Sequence, residues 1–148
     1  MHWVSVGARS NIQDLSCLHG TNARFPVLVE EEVSVAHHVM LHGCTVRRGA
    51  LIGMSSILMD GAEIGEGCLV AAGSLVTEGF KAPPHVLVAG SPAIVKRELS
   101  KEQRELIAGI WMRYVRYKEA YFRDGWTAAS TPAVAEPQPG FTEGHPWP

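Results

Sequence analysis

Several features that mark a protein's class by composition are scarce or absent in this sequence of 148 residues. Its three cysteines, Cys17, Cys44 and Cys68, are an odd number at scattered spacing, which argues against a framework of disulfides. No apolar run approaches the roughly 18 residues of a membrane span, and the first residues lack the charged and apolar regions of a secretion signal. A net charge of −2 provides no basic surface for nucleic acid. These absences predict a cytoplasmic protein with neither a nucleic-acid nor a membrane partner.

An aliphatic residue recurs every six positions through much of the chain. The series is Val29, Val35, Leu41, Val46, Ile52, Leu58, Ile64, Val70 and Val76, with one five-residue step between Leu41 and Val46. Neither the 3.6-residue period of a helix nor the two-residue alternation of a strand explains this spacing. A hexapeptide repeat explains it, because three short flat sides then complete each coil and the aliphatic residues form a column along the axis.

This repeat predicts an all-β solenoid, a parallel β-helix, over residues 1–99. The six-residue pattern already holds at the start of the sequence, at Val6, Ile12 and Leu18. Five residues are extra to the repeat between Leu18 and Val29, and the Gly, Asn and Pro content of residues 20–26 predicts a projecting loop there. Residues 86–95 are expected to form one last strand with a turn at 90–92.

A different pattern follows the repeat. Ser100 and Gln103 have the spacing of a capping box, which satisfies free N–H groups at a helix start. An apolar stripe that includes Ile107 and Trp111 then predicts an amphipathic helix over residues 100–123, packed on the β-helix. Residues 124–148 are rich in Thr, Ala and Pro, and we expect them to form a disordered tail.

Two histidines occupy equivalent places in the repeat. His19 and His42 each follow a leucine of the series and precede a glycine, and the 23 residues between them equal one 18-residue coil plus the five-residue insertion. We therefore expect their side chains to stack on adjacent coils, where two imidazoles can share one metal ion. His37 lies on the preceding side of the coil that carries His42, so a third histidine ligand would have to come from another subunit.

Six stretches of the chain resemble the gamma-class carbonic anhydrases. They are Asn11-Ile-Gln-Asp14, Leu18-His19, residues 35–44, residues 53–61, residues 70–76 and residues 88–93. The resemblance covers about residues 4–123 and implies a left-handed parallel β-helix in a homotrimer. It also implies a zinc site, with iron or cobalt as alternatives, formed by His19 and His42 of one subunit and His37 of the next, with Gln13 hydrogen-bonded to the metal-bound water.

The activity implied by this resemblance is the reversible hydration of carbon dioxide to bicarbonate by a metal-bound hydroxide. His38 is the nearest candidate for a proton shuttle, since an unperturbed histidine has a pKa of about 6.5. Asp14 is expected to be an interface ion-pair or turn residue rather than an acid catalyst. Tyr114, on the predicted helix, is either a packing residue or a tyrosine that faces the site.

Two departures from the family pattern predict weak activity. Family members carry an Arg-Gly-Asp segment upstream of the point where this sequence begins, and its arginine pairs with an aspartate that matches Asp14. We therefore expect an N-terminally shortened member of the family. The acidic shuttle loop of some members is also absent, since Gly20, Thr21 and Asn22 follow His19. The alternatives are a hexapeptide acyltransferase, an acyl-CoA thioesterase-like homologue, or a catalytically weak trimeric structural subunit.

Overall fold

The computed structural model describes residues 2–125, whose strands form three sheets. The first sheet contains β1 (Val4–Val6), β4 (Val27–Val29), β7 (Thr45–Val46) and β10 (Glu63–Ile64). The second contains β2 (Asn11–Ile12), β5 (Ser34–Val35), β8 (Leu51–Ile52), β11 (Leu69–Val70), β13 (Val86–Gly90) and β14 (Ala93–Glu98). The third contains β3 (Cys17–His19), β6 (Met40–His42), β9 (Ile57–Leu58) and β12 (Leu75–Val76).

The strands follow one another around the three sheets, so each round of the chain makes one coil of a parallel β-helix. Strands of neighbouring coils pair in parallel, and Leu41, for example, pairs with both Leu18 and Leu58. The aliphatic series from Val29 to Val76 points inward, with each of its members at most 2% exposed. The predicted fold class is therefore confirmed, and the arrangement is consistent with the left-handed β-helix that the family resemblance implies.

At the end of the β-helix the predicted turn at residues 90–92 is present, but it joins two strands where one last strand was predicted. Residues 86–90 and 93–98 form two antiparallel strands, β13 and β14, and only β13 pairs with the preceding coil. Gly90 has a φ of +116°, a conformation readily available only to glycine, and there the chain reverses. The six-residue period does not indicate β14, because that strand pairs only with β13 and is exposed beyond Ala93.

The helix α1 covers Lys101–Arg123 and begins with the predicted capping box. The Ser100 hydroxyl accepts a hydrogen bond from the Gln103 backbone N–H at 3.3 Å, and the Gln103 amide oxygen accepts one from the Ser100 N–H at 3.2 Å. Ile107 is buried, and the Arg9 guanidinium lies 5.9 Å from the centre of the Trp111 ring. The first part of α1 therefore packs along the corner between the first and second sheets.

The chain divides into a unit of residues 1–116, which holds the three sheets, and a unit of residues 117–148. The predicted tail, apart from residues 124 and 125, lies outside the described residues. No helix within residues 2–125 has both the length and the apolar character needed to cross a membrane.

Candidate functional site

The two histidines of the repeat stack on the outer face of the third sheet. His19 at the end of β3 is in register with His42 at the end of β6. Because side chains alternate along a strand, the inward direction of Leu18 and Leu41 turns both imidazoles outward. Their ring centres are 5.1 Å apart and the ring planes differ by 26°. The stacking expected from the spacing is present.

A carboxylate orients one of these rings. His42 Nδ1 lies 2.8 Å from Oδ1 of Asp60. The Thr21 hydroxyl lies 2.7 Å from each oxygen of the same carboxylate, which can only accept a hydrogen bond from it. The Thr21 hydrogen bond and, after it, the His42 hydrogen bond hold the pKa of Asp60 below its ordinary value. Asp60 is therefore a fixed, ionised partner of His42.

Glycine at position 43 makes the approach of Asp60 possible. Gly43 has a φ of +55°, and a Cβ on it would collide with Oδ1 of Asp60 and come within 2.8 Å of the Phe25 Cβ. The strand register pairs Leu41 with Leu58, which places Asp60 on the next coil directly over Gly43. The carboxylate thus occupies the space that a side chain at position 43 would fill, and from there it reaches the His42 ring.

The inserted loop, residues 20–26, supplies Thr21, the second hydrogen-bond partner of Asp60. The Thr21 N–H donates to the Phe25 carbonyl at 2.9 Å, which closes residues 21–25 into a tight turn. A cavity of about 430 Å³ next to Asp60 is lined by Arg24, Phe25, Gly61 and Glu78. The loop predicted from composition therefore lies against the site, where Thr21 contacts Asp60.

The sequence pattern does not predict the roles of Asp60 and Thr21. Asp60 belongs to the stretch 53–61 that resembles the family, but no role was assigned to it. The available signal was the five-residue step between Leu41 and Val46, because it brings Asp60 into register with Gly43. No spacing rule predicts the Thr21 contact, since the insertion lies outside the repeat.

A second group of polar residues lies at the corner between the second and third sheets. His37 Nδ1 is 3.4 Å from Oδ2 of Asp14, and both side chains are exposed, at 48% and 90%. His38 has a φ of +59°, and its Nδ1 lies 3.3 Å from the Ser55 hydroxyl. The structure therefore gathers Asp14, His37 and His38 at one corner of the coil.

Gln13 lies at the same corner, and a chain of hydrogen bonds fixes its amide. Its Nε2 donates to Oδ1 of Asn11 at 3.1 Å, and Nδ2 of Asn11 donates to the Ser34 hydroxyl at 2.9 Å. Because the Gln13 nitrogen is committed to Asn11, its carbonyl oxygen is the group left to accept a further hydrogen bond.

A single copy of the chain does not bring the predicted ligands together. His19 and His42 lie where the third sheet leads to the first, whereas His37 lies at the other edge of the third sheet. Within residues 2–125, no group of three or more His, Cys, Asp or Glu side chains could hold a metal ion. Tyr114 is on α1, which packs along the remaining corner. One chain therefore offers two stacked imidazoles and, separately, a third.

An apolar stripe runs along the outer face of the third sheet between these two groups. Cys17, Met40, Ile57 and Leu75 are in register across its four strands. Ile57 is 44% exposed, and Leu15 at the adjoining corner is 84% exposed. Both the stacked histidines and the His37 corner therefore border an apolar surface that one copy of the chain leaves open to solvent.

Comparison with known proteins shows which families this chain is similar to. A family described as bacterial transferase hexapeptide (six repeats) matches residues 43–78. The protein YrdA of Escherichia coli strain K12 is 45% identical over 131 residues, which cover 84% of this chain and 71% of that protein. A probable carbonic anhydrase of Methanocaldococcus jannaschii is 45% identical, over 78% of this chain and 72% of its own length.

Two further relatives are a mitochondrial protein and a solved structure. Gamma carbonic anhydrase 1, mitochondrial, of Arabidopsis thaliana is 33% identical, over 80% of this chain and 45% of that protein. A solved Bacillus cereus structure, described provisionally as an acetyltransferase, shares 46% sequence identity and a TM-score of 0.77, over 80% of this chain and 68% of that one. Two of these four relatives are thus named as carbonic anhydrases and one as an acetyltransferase.

Proposed function

Because the chain belongs to the gamma-class carbonic anhydrase family of hexapeptide-repeat proteins, we propose that it is a metal-dependent lyase that interconverts carbon dioxide and bicarbonate. The site would lie between subunits of a homotrimer. The observation that carries the proposal is the stacked, outward pair of His19 and His42, with Nδ1 of His42 held by a carboxylate.

The donor set fits zinc, with iron or cobalt as alternatives. Zinc is commonly held by neutral imidazole nitrogens, and a catalytic site uses three protein ligands. His19 and His42 would supply two of them, and His37 of the next subunit would supply the third. When bound, the ion would provide a nucleophile for carbon dioxide at neutral pH, since zinc lowers the pKa of coordinated water to about 7.

The trimer is the assembly that this arrangement favours. Closed threefold symmetry places the same two surfaces in contact at each of three interfaces, so that each interface can join one stacked pair to one His37 corner. The apolar stripe of the third sheet lies between these two groups and would be covered by the contact. A buried apolar centre with polar groups around it is the usual anatomy of a stable interface.

Of the other predicted site residues, Gln13 would act on water and His38 on protons. The Gln13 carbonyl oxygen, whose direction is set by the hydrogen bond to Asn11, would accept a hydrogen bond from the attacking water. His38 would carry the released proton to solvent, since its side chain is exposed and an imidazole can both accept and donate a proton. Asp14 would be an interface ion-pair or turn residue rather than an acid, and Tyr114 would face the site only from another subunit.

Acyl transfer is the second candidate function. The pair of His42 and Asp60 has the form of an oriented general base, which could remove a proton from a nucleophile that attacks a thioester. The provisional name of the Bacillus cereus relative belongs to this class. An acyltransferase of this type needs no metal, whereas hydration by the three-histidine site does, and metal content therefore separates the two functions.

The test is to purify the protein anaerobically, determine its zinc and iron content, and measure carbon dioxide hydration by stopped flow. We expect bound metal and measurable hydration. His42→Ala should weaken metal binding by at least about 100-fold, because even partners outside the ligand set typically contribute about 10–100-fold. His85→Ala is the matched control and should retain the metal, since His85 lies beside Gly67 at the α1 corner. Full occupancy in His42→Ala, or metal-free acyl transfer by the wild type, would contradict the proposal.

A further inference from the structure

We infer that Asp60 is a positioning residue of the metal site, which keeps the proton of His42 on Nδ1 and so leaves Nε2 free to bind the ion. The inference rests on the proposed function and names a residue outside the predicted ligand set. Asp60 Oδ1 and His42 Nδ1 are 2.8 Å apart, within the range of a direct hydrogen bond.

The direction of this hydrogen bond follows from the donors around Asp60. An ionised carboxylate can only accept hydrogen bonds, and the Thr21 hydroxyl already donates to it. His42 must therefore donate through Nδ1. A neutral imidazole with its proton on Nδ1 has its lone pair on Nε2, and that lone pair is what a metal ion binds. The contact thus selects one of the two tautomers of His42.

The contrast with the other histidine–carboxylate pair shows why Asp60 can do this. Asp14 is 90% exposed and lies 3.4 Å from His37, so water competes for both groups. The Asp60 side chain is 20% exposed and lies 2.8 Å from His42. Thr21 restrains it further through both carboxylate oxygens. An exposed pair held at a long distance orients a ring poorly, whereas a shielded carboxylate with two partners fixes it.

Three separate parts of the chain build this contact. Asp60 comes from one coil, the space for its carboxylate comes from the missing side chain of Gly43 on the neighbouring coil, and the hydroxyl comes from the inserted loop. A carboxylate behind a metal-bound histidine raises the basicity of the ligand and fixes its orientation. Asp60 should therefore act on metal affinity through His42, without touching the ion or the substrate.

The experiment compares Asp60→Asn with the wild type and with Asp124→Asn, which removes a carboxylate charge just beyond the end of α1. Zinc affinity is measured by competition with a chromophoric chelator, and trimer mass by light scattering. We expect Asp60→Asn to weaken zinc binding about 10- to 100-fold with the trimer intact. Thr21→Val should weaken it less, and Thr21→Ser should restore it. Asp124→Asn should bind zinc as the wild type does.

A second readout does not depend on metal. In the metal-free protein at mildly alkaline pH, nitrogen NMR of labelled histidine should show His42 protonated on Nδ1. Asp60→Asn should shift it towards the Nε2-protonated form. Wild-type zinc affinity in Asp60→Asn, while His42→Ala loses the metal, would overturn this inference alone. Absence of metal binding by the wild-type trimer would overturn the proposed function, and the positioning role with it.

Discussion

At the scale of single residues, Gly43 determines whether the carboxylate reaches the histidine. We expect Gly43→Ala to weaken zinc binding by about 10-fold or more, the loss typical of a displaced outer partner. The physical reason is that the new Cβ would collide with Asp60 and crowd Phe25, so that the carboxylate must leave His42. Zinc affinity of the purified variant checks this.

Gly49→Ala is the matched control for that substitution. Gly49 also has a positive φ, of +66°, but a Cβ there would meet nothing within 4 Å. Both variants should lose about 1–2 kcal/mol of stability from the left-handed backbone conformation. Only Gly43→Ala should lose metal affinity. Equal zinc affinities in the two variants would show that the space at position 43 does not matter to the site.

Part of this site could be predicted from the sequence, because it depends only on backbone register. Counting residues placed His19 against His42, since equivalent positions on neighbouring coils must lie one strand spacing apart. The contact of Asp60 with His42 depends instead on how a side chain reaches from one coil to the next, and Thr21 comes from a loop that has no period. Reach and loop conformation are set by packing, which the repeat does not encode.

At the scale of elements, a ladder of ion pairs joins successive coils across the first sheet. Arg47, next to β7, contacts Glu30 at 2.7 Å and shares Glu63 of β10 with Lys81, whose ammonium lies 3.0 Å from that carboxylate. Lys81 and then Arg47 lower the pKa of Glu63, and Arg47 lowers that of Glu30. Both glutamates are therefore ionised at neutral pH.

The lowered pKa values fix the sign of a pH dependence. A carboxylate with a lower pKa in the folded than in the unfolded state stabilises the fold above its unfolded value, 4.5 for Glu, and this contribution is lost as the pH falls below it. We expect the free energy of unfolding to fall below about pH 4.5 and to fall less steeply in Arg47→Met. At pH 7 that variant should lose roughly 0.5–1 kcal/mol.

Urea unfolding monitored by circular dichroism at several pH values measures both effects. Arg123→Met is the comparison, because Arg123 pairs with Asp124 at an exposed position of α1. It should leave stability and its pH dependence nearly unchanged. Identical pH profiles for Arg47→Met and the wild type would show that these ion pairs do not stabilise the folded protein.

The elements themselves were predictable to different degrees. The six-residue period specified the strands of the three sheets, because each inward aliphatic residue marks one flat side. The capping box specified the start of α1. The hairpin of β13 and β14 was not predictable in this way, since its second strand pairs outside the stack and has no core-facing series. Periodicity reports burial, and β14 is largely exposed beyond Ala93.

At the scale of the whole molecule, the shared site makes a quantitative prediction for mixed trimers. His37→Ala chains would retain the stacked pair, and His42→Ala chains would retain the His37 corner. When equal amounts are refolded together, about one quarter of the interfaces in randomly assembled trimers should combine the two intact halves. Zinc content should therefore recover to about one quarter of the wild-type value.

Each variant refolded alone provides the baseline and should bind little zinc. Light scattering must show trimers in all three samples, so that a loss of assembly is not mistaken for a loss of ligands. If trimers form but the mixture recovers no zinc, the site is not shared between subunits, and the apolar stripe of the third sheet covers some other contact.

The pairing of strands one coil apart also has a consequence for how the chain folds. A single coil makes no sheet hydrogen bonds of its own, since Leu41 pairs only with residues of the coils before and after it. The smallest nucleus is therefore two adjacent coils, and growth adds one coil at a time. The pairing of His19 with His42 closes a longer segment than the 18-residue pairing of Leu51 with Leu69. The entropic cost of closing a loop rises slowly with its length. The insertion therefore raises the free energy of closing this segment by only about 0.2 kcal/mol. The loop that brings Thr21 to the site is thus nearly neutral for nucleation.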